Sequence, residues 1–209
     1  MIFTDSETVP LFQGKASDLD PERVDELGKS ASLDPHRSRL LCLGLAWEEE
    51  EPEVHYALHP EDELAVLGVL WRVLKEHGYP IVGHHAQGFD GPYAATRALW
   101  WYYQTGRPLL AELVKMLDPK GRYSDRYYDT TIKYPSAWGH FKRTHKRSAS
   151  AIAGFLGQPY DDAIDGSMVW RAYIAGRHTD IQDHCRADVA RNRDLWKALE
   201  GKLERRGRL

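Results

Sequence analysis

The chain predicts a mixed α/β fold: three strands pairing antiparallel, then helices alternating with short strands, then a helical C-terminal part. Three observations carry this. Arg39–Trp47 (Arg-Leu-Leu-Cys-Leu-Gly-Leu-Ala-Trp) is an unbroken apolar run of strand length and reads as a buried central strand. Leu64, Leu67, Leu70, Trp71 and Leu74 recur at helical spacing and stop at Gly78. Beyond residue 148 the chain reads as successive helices.

In order, the apolar run Met1–Phe3 opens a first strand over residues 1–8 that carries Asp5 and Glu7. Residues 8–20 are mixed and turn-like, and Asp20-Pro21 opens a short helix to about Leu27, with Pro at the first helical position. Arg39–Trp47 follows as the second strand. The run Glu-Glu-Glu-Glu-Pro-Glu at 48–53 makes a turn, and Val54–His59 alternates like the return strand of a hairpin. A helix then spans Pro60–His77, and Tyr79–Gly83 is a short strand entering a loop rich in His and Gly. Residues 92–104 form a Trp- and Tyr-rich helix closed by Gly106-Arg107-Pro108, and Leu109–Leu117 form another. Tyr127–Ile132 is read as a last strand, with helices at about Ala149–Leu156, Ser167–Ala175 and His178–Lys202. No repeat or linker interrupts the chain, so residues 1–209 are expected to form one domain. The order is compatible with a ribonuclease H-like mixed sheet flanked by helices.

Composition narrows the class. A hydrophobic fraction of 42% with 28% charged residues belongs to a soluble globular protein. No apolar run approaches the roughly 20 residues that cross a bilayer, and Asp5 and Glu7 fall where a signal peptide would be apolar. Two cysteines, Cys42 and Cys185, make no disulfide framework, so a reducing, cytoplasmic setting is expected. Net charge is −3, yet residues 133–147 carry Lys133, Lys142, Arg143, Lys146 and Arg147 without one acid. That is the charge distribution of a phosphate-binding edge, or of a solvated loop with a basic bias.

Candidate chemistry begins at Asp5 and Glu7. Side chains two apart on a strand share a face. Two carboxylates side by side are costly to bury unless a cation neutralises them, and hard divalent ions take such oxygen ligands. Taken alone, Asp-x-Glu is equally a solvated turn. Asp90, after Phe89 at the start of a helix, reads alone as a capping or first-turn acid. His184 and Asp188, four apart on a late helix, read alone as a surface pair. Asp129-Thr130 reads as strand-end and cap residues, with no chemistry assigned.

Together and in this order, Asp5-x-Glu7, Phe89-Asp90 and His184-x-x-x-Asp188 resemble the three motifs of the DEDD family of 3′-5′ exonucleases, and most of all the exonuclease domain of family B DNA polymerases. The likeness extends to Val82–Tyr93 around the second motif and Cys185–Trp196 around the third, and spans residues 1–200. It implies a ribonuclease H-like fold and metal-dependent hydrolysis of phosphodiester bonds from a 3′ end, releasing nucleoside 5′-monophosphates. It implies two ions, Mg²⁺ or Mn²⁺, held by Asp5, Glu7, Asp90 and Asp188, with His184 in the place of the general base. Thr8, His85 and Phe89, together with Lys142 and Arg143 of the basic segment, are the expected substrate contacts. The chain departs from the family in two places: the branch with this spacing normally has Tyr where His184 stands, and Asn where His85 stands.

Single-stranded DNA is the favoured substrate, with RNA open. A chain of this length leaves no room for a polymerase domain, so a stand-alone nuclease or one serving a polymerase or repair partner in trans is expected. Two rival readings remain at this point. One is a catalytically silent nucleic-acid-binding module of the same fold. The other is a zinc hydrolase using His84, His85, His184 and Cys185, although the chain has no His-Glu-x-x-His or paired Cys-x-x-Cys spacing.

Overall fold

The computed structural model describes residues 1–12, 20–118, 125–133, 148–155 and 164–201. Strand β1 (Ile2–Pro10) is followed by helix α1 (Pro21–Ala31), β2 (Ser38–Trp47) and β3 (Glu53–Tyr56). Then come α2 (Glu63–His77), β4 (Ile81–Gly83), a turn of π-helix over Ala86–Asp90, α3 (Gly91–Thr105) and α4 (Pro108–Leu117). Strand β5 (Tyr127–Asp129), α5 (Thr130–Lys133), α6 (Ala149–Phe155), α7 (Val169–Ile174) and α8 (His178–Leu199) complete the order. Among the described residues the strands form one sheet in the order β3-β2-β1-β4-β5. β1–β2 and β2–β3 are antiparallel, and β1–β4 and β4–β5 are parallel. This is the mixed sheet that the sequence predicts.

β1 sits at the centre and outruns its parallel neighbour. Only Ile2 and Phe3 pair with β4, at Ile81 and Val82, so the strand from Thr4 onward overlooks the loop that leaves β4. On the other side β1 pairs with β2 along its length, with an irregularity: Glu7 lies opposite Cys42 and Thr8 opposite Leu40, leaving Leu41 over. That extra residue flips the alternation of β2. Leu43 and Leu45 pack with α2, α3 and α4, whereas Leu41 and Cys42 both join the layer of α7 and α8. Layers on both faces explain why β2 is continuously apolar.

Among the boundaries that differ from expectation, such as the return strand ending at Tyr56 rather than His59 and α2 beginning at Glu63 rather than Pro60, two have a clear physical reason. α1 runs to Ala31 rather than Leu27, because Trp170 of α7 packs on Gly28 and donates its indole N–H to the Val24 carbonyl at 2.9 Å. Tertiary packing there overrides the stop that Gly28 suggests. The last strand ends at Asp129 rather than Ile132, because the Asp129 carboxylate accepts the Thr131 N–H (2.9 Å) and hydroxyl (2.5 Å), turning the chain into α5. The acidic hairpin tip docks on α8, where Lys197 meets Glu49 at 2.5 Å and Arg193 donates to the Glu50 carbonyl at 2.6 Å. Under α2 and α3 lies a fully satisfied buried pair. Glu63 accepts from Arg97 Nε (2.8 Å) and Nη2 (2.6 Å), Leu40 N (2.7 Å) and Trp101 Nε1 (2.8 Å).

Candidate active site

Alternation on β1 divides three consecutive residues between the two layers. Asp5 and Glu7 lie opposite Gly44 and Cys42 and face α8; Ser6 lies opposite Leu43, which belongs to the α2–α4 side. Asp90 arrives from that second side. It stands at the N-terminus of α3 but makes no capping bond there; its carboxylate instead accepts the Ser6 hydroxyl, 84 positions away in the chain. The capping alternative for Asp90 gives way to a contact with the first motif.

Three features hold that turn in place. Asp129 at the end of β5 is buried and accepts the backbone N–H groups of His85 (3.2 Å) and Gln87 (3.0 Å). With its Thr131 bonds, this carboxylate is spent on fixing the backbone. His85 is in the left-handed region, with φ 67°, which costs most residues but is several-fold enriched in Asn, Asp and His. His in place of the Asn of the resembling motif therefore keeps a residue type that tolerates this backbone. Gly91 is required because a Cβ there would lie 2.3 Å from the Tyr127 hydroxyl.

α8 is brought to β1 by another glycine. A Cβ on Gly44 would lie 2.5 Å from Val189 Cγ2 and 3.2 Å from the Cys185 carbonyl, so only glycine lets the helix approach this closely. Two bonds reach the backbone of β1: Asn192 Nδ2 to the Thr4 carbonyl at 2.9 Å, and the Cys185 thiol to the Asp5 carbonyl at 3.8 Å. So seated, α8 presents His184 and Asp188. His184 Nε2 lies 3.2 Å from Glu7 Oε1, and Nδ1 lies 3.9 Å from Asp188 Oδ1. The His184 side chain is only 4% exposed, so the pair is not a surface pair. Asp188 Oδ1 also accepts Nη1 of the buried Arg191 at 2.6 Å.

The acids sense one another. The Asp5 carboxyl is pushed well above the usual range, first by burial and then by Asp188, Glu7 and Asp90 in that order. Asp90 is pushed up to about 7, mainly by burial, with the Ser6 hydrogen bond opposing and Glu7 and Asp129 adding. Carboxyls that raise each other's pKa in a shared pocket mark a place where positive charge would be stabilised. Among the described residues, one donor atom each from Glu7, His184 and Asp188 lies within 4.8 Å of the other two, a spacing able to hold a metal ion. The donor set, rich in carboxylate oxygen, fits hard divalent cations.

The remaining expectations divide. Phe89 is partly buried with its ring 5.3 Å from that of Tyr93, and His85 is exposed beside His84 (ring centroids 4.8 Å apart). The Thr8 hydroxyl donates to the Ser32 carbonyl at 2.5 Å, tying β1 to the end of α1. Lys142 and Arg143 lie outside the described residues. Two donors of the zinc alternative are otherwise engaged: His84 bonds Thr130 at 3.0 Å, and Cys185 is buried beside Cys42. Hydrogen bonding with the Cys42 thiol, followed by burial, pushes the Cys185 thiol up, away from the thiolate that zinc takes. Among the described residues no helix is long and apolar enough to cross a membrane.

Sequence reasoning missed Ser6, Gly44, Asp129, Arg191 and Asn192. Gly44 had a signal, since glycine inside an apolar strand marks a close approach of another element.

A family model described as a predicted 3′-5′ exonuclease related to the exonuclease domain of PolB matches residues 40–204. That range holds Asp90, His184 and Asp188; Asp5 and Glu7 precede it. Among solved structures, the family B DNA polymerase of the hyperthermophilic archaeon Pyrobaculum calidifontis is similar, with a TM-score of 0.67 at 18% identity. The likeness covers 95% of this chain and 24% of the polymerase chain, and at that identity speaks for the fold. No curated protein matches.

Proposed function

Because the chain belongs to the family of predicted 3′-5′ exonucleases related to the exonuclease domain of PolB, we propose that it is a metal-dependent nuclease that removes nucleoside 5′-monophosphates from the 3′ end of single-stranded DNA. The observation that supports the reading is that Asp188 of α8, Glu7 of β1 and Asp90 of the turn before α3 all lie near enough to Asp5 to push its carboxyl up, with Asp90 itself driven towards protonation. A silent module would have no use for acids kept at that electrostatic cost.

These four carboxylates are the residues that would hold two ions, Mg²⁺ or Mn²⁺. Bound there, such a pair would supply Lewis-acid stabilisation to the attacking and leaving oxygens of an in-line displacement. The chain's own residues do the positioning. Ser6 orients Asp90, Arg191 orients Asp188, and Asp129 fixes the turn that carries Asp90. Exposed His85 and the neighbouring Phe89 are proposed to meet the terminal nucleotide, with Lys142 and Arg143 holding phosphates of the entering strand.

A gel time course with 5′-labelled single-stranded DNA, duplex DNA and RNA, in Mg²⁺, Mn²⁺ or EDTA, tests this. The expectation is a descending ladder on single-stranded DNA with either ion, absent in EDTA and in the D5A/E7A variant. Faster shortening of RNA would make the chain an exoribonuclease, and no shortening of any substrate would leave a binding module.

A further inference from the structure

The resemblance places a phenol where this chain has His184. A phenol, with a reference pKa of about 10, keeps its proton at neutral pH and is a poor ligand, whereas neutral imidazole offers a nitrogen lone pair. To act as a base on water, the ring would have to turn that lone pair towards the nucleophile. Here the side chain is 4% exposed, and its two nitrogens face Glu7 at 3.2 Å and Asp188 at 3.9 Å. Donor atoms of Glu7, His184 and Asp188 lie mutually within 4.8 Å. Around an ion with bonds of about 2.1 Å, adjacent ligands stand about 3 Å apart and opposite ones about 4.2 Å. His184 Nε2 and Glu7 Oε1 already stand at a ligating separation, and a small side-chain rotation would draw Asp188 in from within 4.8 Å without any movement of α8, which the Gly44 contact and the Asn192–Thr4 bond hold against β1.

We propose that His184 is a metal ligand: with Glu7 and Asp188 it forms a mixed nitrogen–oxygen site that favours Mn²⁺, Co²⁺ and Zn²⁺ over Mg²⁺. The inference rests on the nuclease reading, since it takes for granted that the acid pocket holds cations. Imidazole suits transition ions, whereas Mg²⁺ demands oxygen ligands and retains its waters, so one nitrogen in the set shifts preference away from Mg²⁺.

The test uses the full chain, stripped with EDTA and loaded with Mn²⁺, and needs no turnover. Pulsed electron paramagnetic resonance on wild-type protein should show ¹⁴N couplings of a coordinated imidazole, lost in H184Y. Competition of Mg²⁺ against bound Mn²⁺ should give a Mn²⁺-to-Mg²⁺ affinity ratio at least about tenfold higher for wild type than for H184Y, the order of effect that even loss of a ligand's hydrogen-bond partner produces. The wild-type spectrum is informative even if the variant fails to fold. Mn²⁺ bound in the pocket, as judged by its loss in D5A/E7A, without nitrogen coupling would overturn the assignment and return His184 to the role of base, leaving the nuclease reading intact. No bound Mn²⁺ at all would overturn both.

Discussion

Replacing Gly44 by alanine tests how α8 is seated, and with it the whole site. The added methyl would lie 2.5 Å from Val189 Cγ2, where carbon–carbon contact needs about 3.5–4 Å, an overlap of about 1 Å. Val189 can turn aside, but the Cys185 carbonyl at 3.2 Å is backbone and cannot rotate away, so α8 must lift. Overpacking of this kind costs about 1–3 kcal/mol. For a chain of this length that is a fall in Tm of roughly 2–12 °C. Mn²⁺ that binds the folded chain and not the unfolded one should raise the wild-type Tm; lifting α8 withdraws Asp188 and His184 from Asp5 and Glu7, so that rise should shrink as well. Urea unfolding followed by tryptophan fluorescence measures the first effect and a thermal melt with and without Mn²⁺ the second. The double variant G44A/V189A should recover part of both losses, because the shortest contact is gone and neighbouring substitutions of this kind couple by about 0.5–3 kcal/mol. A G44A protein matching wild type in urea midpoint and in Mn²⁺ response would refute the close seating of α8.

Three further outcomes are expected. Glu63→Gln leaves the Arg97 guanidinium buried without its carboxylate and should cost about 3–5 kcal/mol in urea unfolding; E63Q/R97M should lose less than E63Q alone, and equal losses would mean the pair is not the stabilising unit. In EDTA, the raised carboxyls of Asp5 and of Asp90, the latter up to about 7, mean that the folded state binds more protons than the unfolded one. Their contribution is therefore fully present below the ordinary carboxyl range and is lost as pH rises through about 7. Metal-free protein should lose Tm between pH 5 and pH 8 (a window of about three units) and D90N should lose less over it; an unchanged slope in D90N would count against a perturbed Asp90. Charge reversal in K142E/R143E should weaken DNA binding and flatten its salt dependence, by about 0.7 in log–log slope per lost single-strand contact, whereas unchanged slopes would remove the basic segment from the strand's path.

How far the sequence reached can be judged residue by residue. Period-two alternation places Asp5 and Glu7 together, and the structure puts both opposite residues of the α8 layer. Helical spacing places His184 and Asp188 on one face, and the bound neighbours Glu7 and Arg191 show that this face is inward. Local rules end there. Nothing near Asp90 signals that Ser6, rather than its own helix, takes its carboxylate, because that contact depends on β1 outrunning β4. Asp129 looks like an ordinary strand-end acid, and it does cap α5; its hold on His85 and Gln87 exists only because β5 lies parallel to β4. Arg191 lies one turn from Asp188 in a stretch crowded with arginines, and only burial separates it from Arg186, whose partner is the exposed Asp183. The flipped alternation of β2 at Leu41 is likewise invisible in a run that is apolar on both faces.

The convergence of the four carboxylates on bound cations is tested most directly by anomalous diffraction from crystals of the full chain grown with Mn²⁺. The account predicts Mn²⁺ density in contact with Asp5, shared with Glu7 and Asp188, and a second ion towards Asp90. Ordered Mn²⁺ elsewhere with Asp5, Asp90 and Asp188 contacting no ion would contradict it.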